Sequence, residues 1–355
     1  MKPRWLWSLT LAFLSTSSAW AMPIALNNIG GAAPGTQAGD AFALAAQRVG
    51  SLFSNPATIF IDVGFSNLGP GILGSTSLTY LVPTYASIRG ALIANANPFS
   101  VVDQQAIANL PTGPNLDFRT NQSDGSIVRD NDGSINNSRL AMAQANGRAL
   151  GIFTGAGSDA TIQFSNLFTW DFDPSDGITA GAFDFVGVAS HEIMHALGFV
   201  SGVDTVDQLS GPSGTPTNLN GFAVFSTLDL FRYSSDSVLL GSGILDLAYG
   251  GTPYFSLDQG ATSLGTFSTG ARNGDGRQAS HWKDGLNLGI MDPTLGAGEL
   301  GIIRQLDLNA LDAIGFNLAS QGAPELDPKR STLPLAFAVV GVLTLYEVRR
   351  TRSAA

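Results

Sequence analysis

The stretch Phe185-Val186-Gly187-Val188-Ala189-Ser190-His191-Glu192-Ile193-Met194-His195-Ala196-Leu197-Gly198-Phe199 carries His-Glu-x-x-His inside an apolar run of helical character. Histidines at i and i+4 project from one helix face a turn apart, so both imidazoles can reach one ion. Val188, Met194 and Leu197 are placed to seat such a helix in a core. Glu192 is displaced around the helix from both histidines, where it can reach a metal's water instead of the metal. Imidazole ligands without thiolates, with one position left open, suit a catalytic Zn²⁺, which lowers the pKa of a bound water to about 7. The helix is expected over 184–199 and should end at Gly198, a residue that lets the chain turn back sharply.

The chain has three histidines and the motif uses two of them. In the pattern His-Glu-x-x-His-x-x-Gly-x-x-His the third ligand would stand at position 201. Ser201 occupies it here, a poor zinc ligand. Asp204 and Asp207 lie just beyond and offer carboxylates. The remaining histidine, His281, sits in Ala279-Ser280-His281-Trp282-Lys283-Asp284-Gly285-Leu286-Asn287-Leu288-Gly289-Ile290-Met291-Asp292-Pro293. Met291, ten residues further on and ahead of a proline, looks like a Met-turn, the apolar floor under the metal of a metzincin.

Together these features resemble the leishmanolysin family of metallopeptidases. The shared parts are the His-Glu-x-x-His-x-x-Gly-Phe start at His191 to Phe199, an insertion, then Ser280-His281-Trp282 and Met291, about 15 residues at each of two places. The resemblance implies a zincin-like (metzincin) domain, Zn²⁺ bound by His191, His195 and His281, and Glu192 as general base of an endopeptidase. That family is typically rich in cysteine, whereas this chain has none. Two other readings stand beside it. One is a non-catalytic surface or matrix protein on a zincin scaffold, suggested by long Gly/Ser/Thr/Asn-rich regions; the intact Glu192 counts against it. The other is a zinc hydrolase acting on a non-peptide bond with the same residues.

Around the motif, apolar spacing predicts helices over 41–53, 84–95, 140–150 and 308–314, the last capped by Asp307 and ended by Gly315. Strands are expected over 58–65, 160–164, 167–172 and, more weakly, 221–225. Residues 22–39 read as a loose arm, and 69–74 and 97–138 as loops. Strand 160–164, just ahead of the central helix, is the expected sheet edge for an extended peptide. Helices and strands are mixed without strict alternation, which points to α+β, with an N-terminal lobe to about residue 200 and a C-terminal lobe over about 201–320.

Both ends of the 355-residue chain read as processing signals. Lys2 and Arg4, an apolar run from Trp5 to Leu14 and the closing Ala19-Trp20-Ala21 have the order of a secretory signal peptide, residues 1–21. At the other end, 321–355, Pro324-Glu325-Leu326-Asp327-Pro328 precedes an apolar run from Leu333 to Val348 and the arginines 349, 350 and 352. This resembles a PEP-CTERM sorting tail, with Leu326 where a second proline is usual. It implies export, transient membrane association and processing by an exosortase-like enzyme. A plain tail anchor is the simpler alternative.

The net charge of −10 and low lysine content argue against a nucleic-acid partner, and the acidity reads as a soluble surface. The absence of cysteine excludes a thiolate nucleophile and any Cys-based metal site. Asp171-Phe172-Asp173-Pro174-Ser175-Asp176-Gly177 and Asp130-Asn131-Asp132-Gly133 have the spacing of oxygen ligands around Ca²⁺. Neither matches the twelve-residue calcium loop, and solvated turns are the commoner outcome.

Overall fold

Ile59, Ile61 and Val63 alternate with more exposed neighbours, the period-two pattern that buries one face of a strand. They belong to the main sheet, formed by β1 (Ile24–Gly30), β2 (Ile59–Ser66), β3 (Gly74–Leu78) and β4 (Ala160–Ser165) in the order β1-β2-β4-β3. β1 and β4 run parallel to β2, and β3 runs antiparallel to β4. The structure is a computed structural model that describes residues 21–122, 124–210 and 219–319. All but Ala21 of the expected leader, and the whole of the expected tail, lie outside the described residues. Among the described residues no helix is long and apolar enough to cross a membrane.

Two helices lie against this sheet. The first, Gln37–Gly50, starts where the Thr36 side chain accepts a hydrogen bond from the Gly39 N–H. It buries Phe42, Ala45 and Val49. The central helix, Phe185–Leu197, is buried at every residue except His191. Phe185 at its start meets Phe42 and Phe164 with ring centroids 4.8 and 4.3 Å apart. This aromatic cluster joins both helices to the middle of the sheet, and such pairs add to the area they bury.

Beyond Gly198 the chain forms short elements. Arg232–Tyr233, Tyr254–Phe255 and Gly265–Thr266 make a small antiparallel sheet. Leu245–Asp246 instead pairs in parallel with Phe118–Asn121, which pairs in turn with Ile127–Asp130. The last helix, Gln305–Ala313, buries Ala310 and Leu311 and returns the chain to Phe53, which bridges to Leu318. Mixed sheets with helices outside strict alternation make the fold α+β.

Several expectations are corrected. The supposed arm at 22–39 contains β1; pairing along β2 orders a stretch whose Gly/Asn content disfavours strand, since tertiary context outweighs propensity. The supposed loops at 97–138 hold a helix, Val101–Asn109, capped by Ser100, and the hairpin of Phe118–Asn121 with Ile127–Asp130. Over 140–150 only Gln144–Ala149 is helical, after a two-residue strand. Over 167–172 only Trp170–Asp171 is strand, and 221–225 is not strand at all. Asp307 is inside the last helix, not its cap. Most consequentially, β4 (the expected edge, 160–164) is paired on both sides; among the described residues the edges are β1 and β3, and β3 is the one beside the central helix's Glu192.

One buried ion pair pins the end of β4. Arg148 Nε lies 2.7 and 2.9 Å from the two carboxylate oxygens of Asp159, which also accept from the Phe60 N–H and from Gln144 Nε2. Removing one partner leaves an uncompensated buried charge, worth about 3–5 kcal/mol. Asp159→Ala is therefore expected to lower unfolding free energy by about that amount in equilibrium denaturant titrations. A change under about 1 kcal/mol would contradict this account.

Candidate metal centre

The central helix is anchored at both ends by its own sequence. At the start, Asp184 accepts from the Gly187 N–H at 2.8 Å and, with its second oxygen, from the Gly301 N–H at 2.9 Å. A side chain at position 187 would collide with that carboxylate and with the Gly301 backbone. At the far end Gly198 has φ +118°, a left-handed conformation that glycine adopts without penalty, and the helix stops there as expected.

The turn after Gly198 and the loop carrying His281 bring three imidazoles together. Ring centroids are 4.7 Å apart for His191 and His195, 5.2 Å for His191 and His281, and 4.8 Å for His195 and His281. Each ring has a backbone carbonyl at Nδ1: Ile290 O for His191 at 2.7 Å, Phe199 O for His195 at 2.6 Å and Gln278 O for His281 at 3.3 Å. A carbonyl can only accept, so each Nδ1 carries a hydrogen, and in a neutral ring Nε2 then presents a lone pair. The Nε2 atoms of His195 and His281 are 3.2 Å apart. Two facing lone pairs with no proton between them repel, and a cation between them removes the repulsion. Zn–N bonds of 2.0–2.1 Å in a tetrahedron would set their separation at about 3.3 Å. The His195–His281 spacing and the all-imidazole donor set therefore suit zinc.

Electrostatics favour the same state. Burial, and then the neighbouring His191 and His281, hold the His195 imidazole well below its ordinary range. Burial, and then His191, push His281 down to about 3. Both rings are thus neutral, the form that ligates metal.

Glu192 is buried beside this cluster, and burial raises its pKa, with His191 and a hydrogen bond from Thr76 opposing the rise. Thr76 Oγ1 lies 2.6 Å from Glu192 Oε2 and 3.0 Å from the Glu192 carbonyl oxygen. A Cβ at Gly74 would lie 2.7 Å from Oε1. Thr76 and Gly74 on β3 were not recognisable as site residues. The run Ser75-Thr76-Ser77-Leu78 has strand character, but the glycines before it read as loop.

Neither alternative third ligand joins the cluster. Asp204 accepts from the Ala279 N–H at 2.6 Å and from the Ser280 N–H and hydroxyl. Asp207 accepts from the Arg272 and Asn273 N–H groups at 2.7 and 2.8 Å. Among the described residues the three histidines are the one group of three or more His, Cys, Asp or Glu side chains gathered for a metal, their donors within 4.8 Å of one another. In the acidic loops, Asp171 accepts from Asp173 N and Thr179, stitching its own turn, and Asp132 accepts from Ser134 N and from the distant Asn220.

Met291 is fully buried, and its carbonyl accepts from the Trp282 N–H at 2.9 Å. Beneath this loop Asp307 accepts from Trp282 Nε1, from the Ile290 and Met291 N–H groups and from the Arg304 N–H. It thereby fixes Ile290, whose carbonyl orients His191. The imidazoles open on a cleft of about 1360 Å³, lined also by Ile72, Tyr80, Phe168, Val188, Asp284 and Arg304. Comparison with protein-family models, with curated proteins and with solved structures finds no match for this chain.

The depressed imidazoles set a pH dependence. His281 has an ordinary value of 6.5 when unfolded and about 3 when folded, so between those values the unfolded chain binds more protons. Stability then rises with pH across that window and falls as pH drops through it. For the chelator-treated protein, the loss of Tm between about pH 6.5 and pH 4.5 is expected to be smaller in His281→Gln than in wild type. Identical slopes for the two proteins would contradict the assignment.

Proposed function

We propose that this chain is an exported zinc-dependent endopeptidase of the zincin type, with a metzincin-like site resembling that of the leishmanolysin family. The observation that carries the reading is the meeting of three imidazoles, each oriented through Nδ1, with a buried carboxylate on the same helix. His191, His195 and His281 would hold the metal through Nε2. Zn²⁺ bound there supplies Lewis acidity, which activates a water and polarises the scissile carbonyl.

The remaining roles belong to the chain itself. Thr76 anchors Glu192 Oε2, leaving Oε1 to take a proton from the attacking water and pass it to the departing amine. Burial makes this carboxylate a stronger base than an exposed one. Glycine at 74 keeps open a position 2.7 Å from Oε1, within hydrogen-bonding distance, that any side chain would fill. The outer edge of β3, unpaired among the described residues and lining the cleft, suits an extended substrate added as a further strand. The leader and the PEP-CTERM-like tail are the grounds for export and for transient membrane association.

Glu192→Gln is expected to keep bound zinc and to lose casein-hydrolysing activity by about 10²–10⁴-fold. His281→Ala is expected to lose the metal, measured as zinc per chain after gel filtration. Full activity in the first variant, or full zinc in the second, would remove the mechanism. A wild-type chain that binds zinc yet shows no chelator-sensitive hydrolysis in casein or gelatin zymography would favour a non-catalytic surface protein.

A further inference from the structure

Arg232 is one of the largest fully buried side chains, and no carboxylate among the described residues lies within ion-pair distance of it. Asp229, Asp246 and Asp204 act on its charge only through space. A guanidinium in that state is costly to bury, and an apolar side chain of similar volume is often as stable or more so. Its hydrogen bonds are directed to one place. Nη1 donates to Ala279 O at 3.4 Å and Nη2 to Ser268 O at 3.0 Å, with the group lying 5.0 Å over the Phe267 ring. Ser268 in turn donates its N–H to His281 O at 2.9 Å and its hydroxyl to Trp282 O at 2.8 Å. Both ends of the fork thus hold the backbone flanking His281.

Two aspartates complete the arrangement from the other side. Asp229 accepts from Ser201 Oγ and from the Gly202 and Ser226 N–H groups, fixing the turn that leaves the central helix. The Ser201 N–H donates to Ser280 Oγ at 2.8 Å, and Ser280 donates to Asp204. Position 201, where a shorter connection would carry the third histidine itself, is here tied to the residue just before His281.

We propose that Arg232, together with Asp204 and Asp229, is a positioning device for His281, setting how tightly the third imidazole engages a metal. The proposal rests on the reading of the three histidines as a metal centre. Substitution of partners in this outer layer typically costs 10–100-fold in metal affinity. The test is zinc affinity of the full chain by chelator competition, with far-UV circular dichroism and the Tm of the metal-free protein recorded alongside. Arg232→Met is expected to bind zinc about 10–100-fold more weakly at an unchanged or higher metal-free Tm, with part of the affinity restored in Arg232→Lys. Ser280→Ala, a small change that leaves Arg232 in place, is expected to weaken zinc by about 10-fold. Wild-type affinity in both Arg232→Met and Ser280→Ala overturns the device. So does a loss of affinity accompanied in both by a matching loss of folded signal. A wild-type chain that binds no zinc overturns the metal reading itself.

Discussion

Each imidazole of the cluster is held through Nδ1 by a main-chain oxygen, and the remainder of the site follows from that constraint. Ile290 O, Phe199 O and Gln278 O lie on three different segments, so the ring orientations report the relative placement of the helix end, the His281 loop and the turn at Met291. With Nδ1 as the donor, the neutral rings of His195 and His281 present Nε2 lone pairs to each other. The two nitrogens face each other at 3.2 Å, with both rings largely buried. A cation bound between them would relieve the repulsion of their lone pairs, so metal binding and the stability of this arrangement would be coupled.

A chain without cysteine must hold long loops by other means. Here buried and half-buried aspartates accept hydrogen bonds from N–H groups of distant segments. Asp184 reaches Gly301, 117 residues on, Asp204 reaches Ala279, 75 residues on, and Asp307 gathers Trp282, Ile290 and Met291. In all three, burial pushes the carboxyl pKa up while the donated hydrogen bonds oppose the shift. Each satisfies several N–H groups that would otherwise be buried without partners. Part of the acidity that reads as a soluble surface in composition is therefore internal.

This division explains what was legible in the sequence. The central helix was readable because its signals are local: an apolar face, histidines one turn apart and Gly198 behind; Asp184, expected inside the helix, is its N-cap. His281 was recognisable from its neighbours Ser280, Trp282 and Met291. The aspartates were not, because Asp204, Asp207 and Asp307 act on backbone segments their own sequence does not identify. Asp204 and Asp207 invited a ligand role by proximity to His195, and Asp307 a cap role by its place before a helix. β3 was hidden for a related reason. Its strand state depends on pairing with β4, and its value to the site depends on Gly74 and Thr76 meeting Glu192 across the sheet edge.

The length of the connection between the second and third histidines sharpens this point. His195 and His281 are 86 residues apart, whereas a third ligand at position 201 would close a loop of six. Loop-closure cost grows only logarithmically, at roughly 0.6 kcal/mol per doubling, so the longer route costs about 2 kcal/mol more. Two or three net hydrogen bonds of about 1 kcal/mol each offset that. The Ser201–Ser280–Asp204 and Ser201–Asp229 contacts supply that number, at the point where the short route would have run. The third imidazole therefore arrives by tertiary structure, in place of a covalent tether. Any metal the cluster binds is then sensitive to the integrity of the whole segment after Gly198, which a six-residue loop would not be.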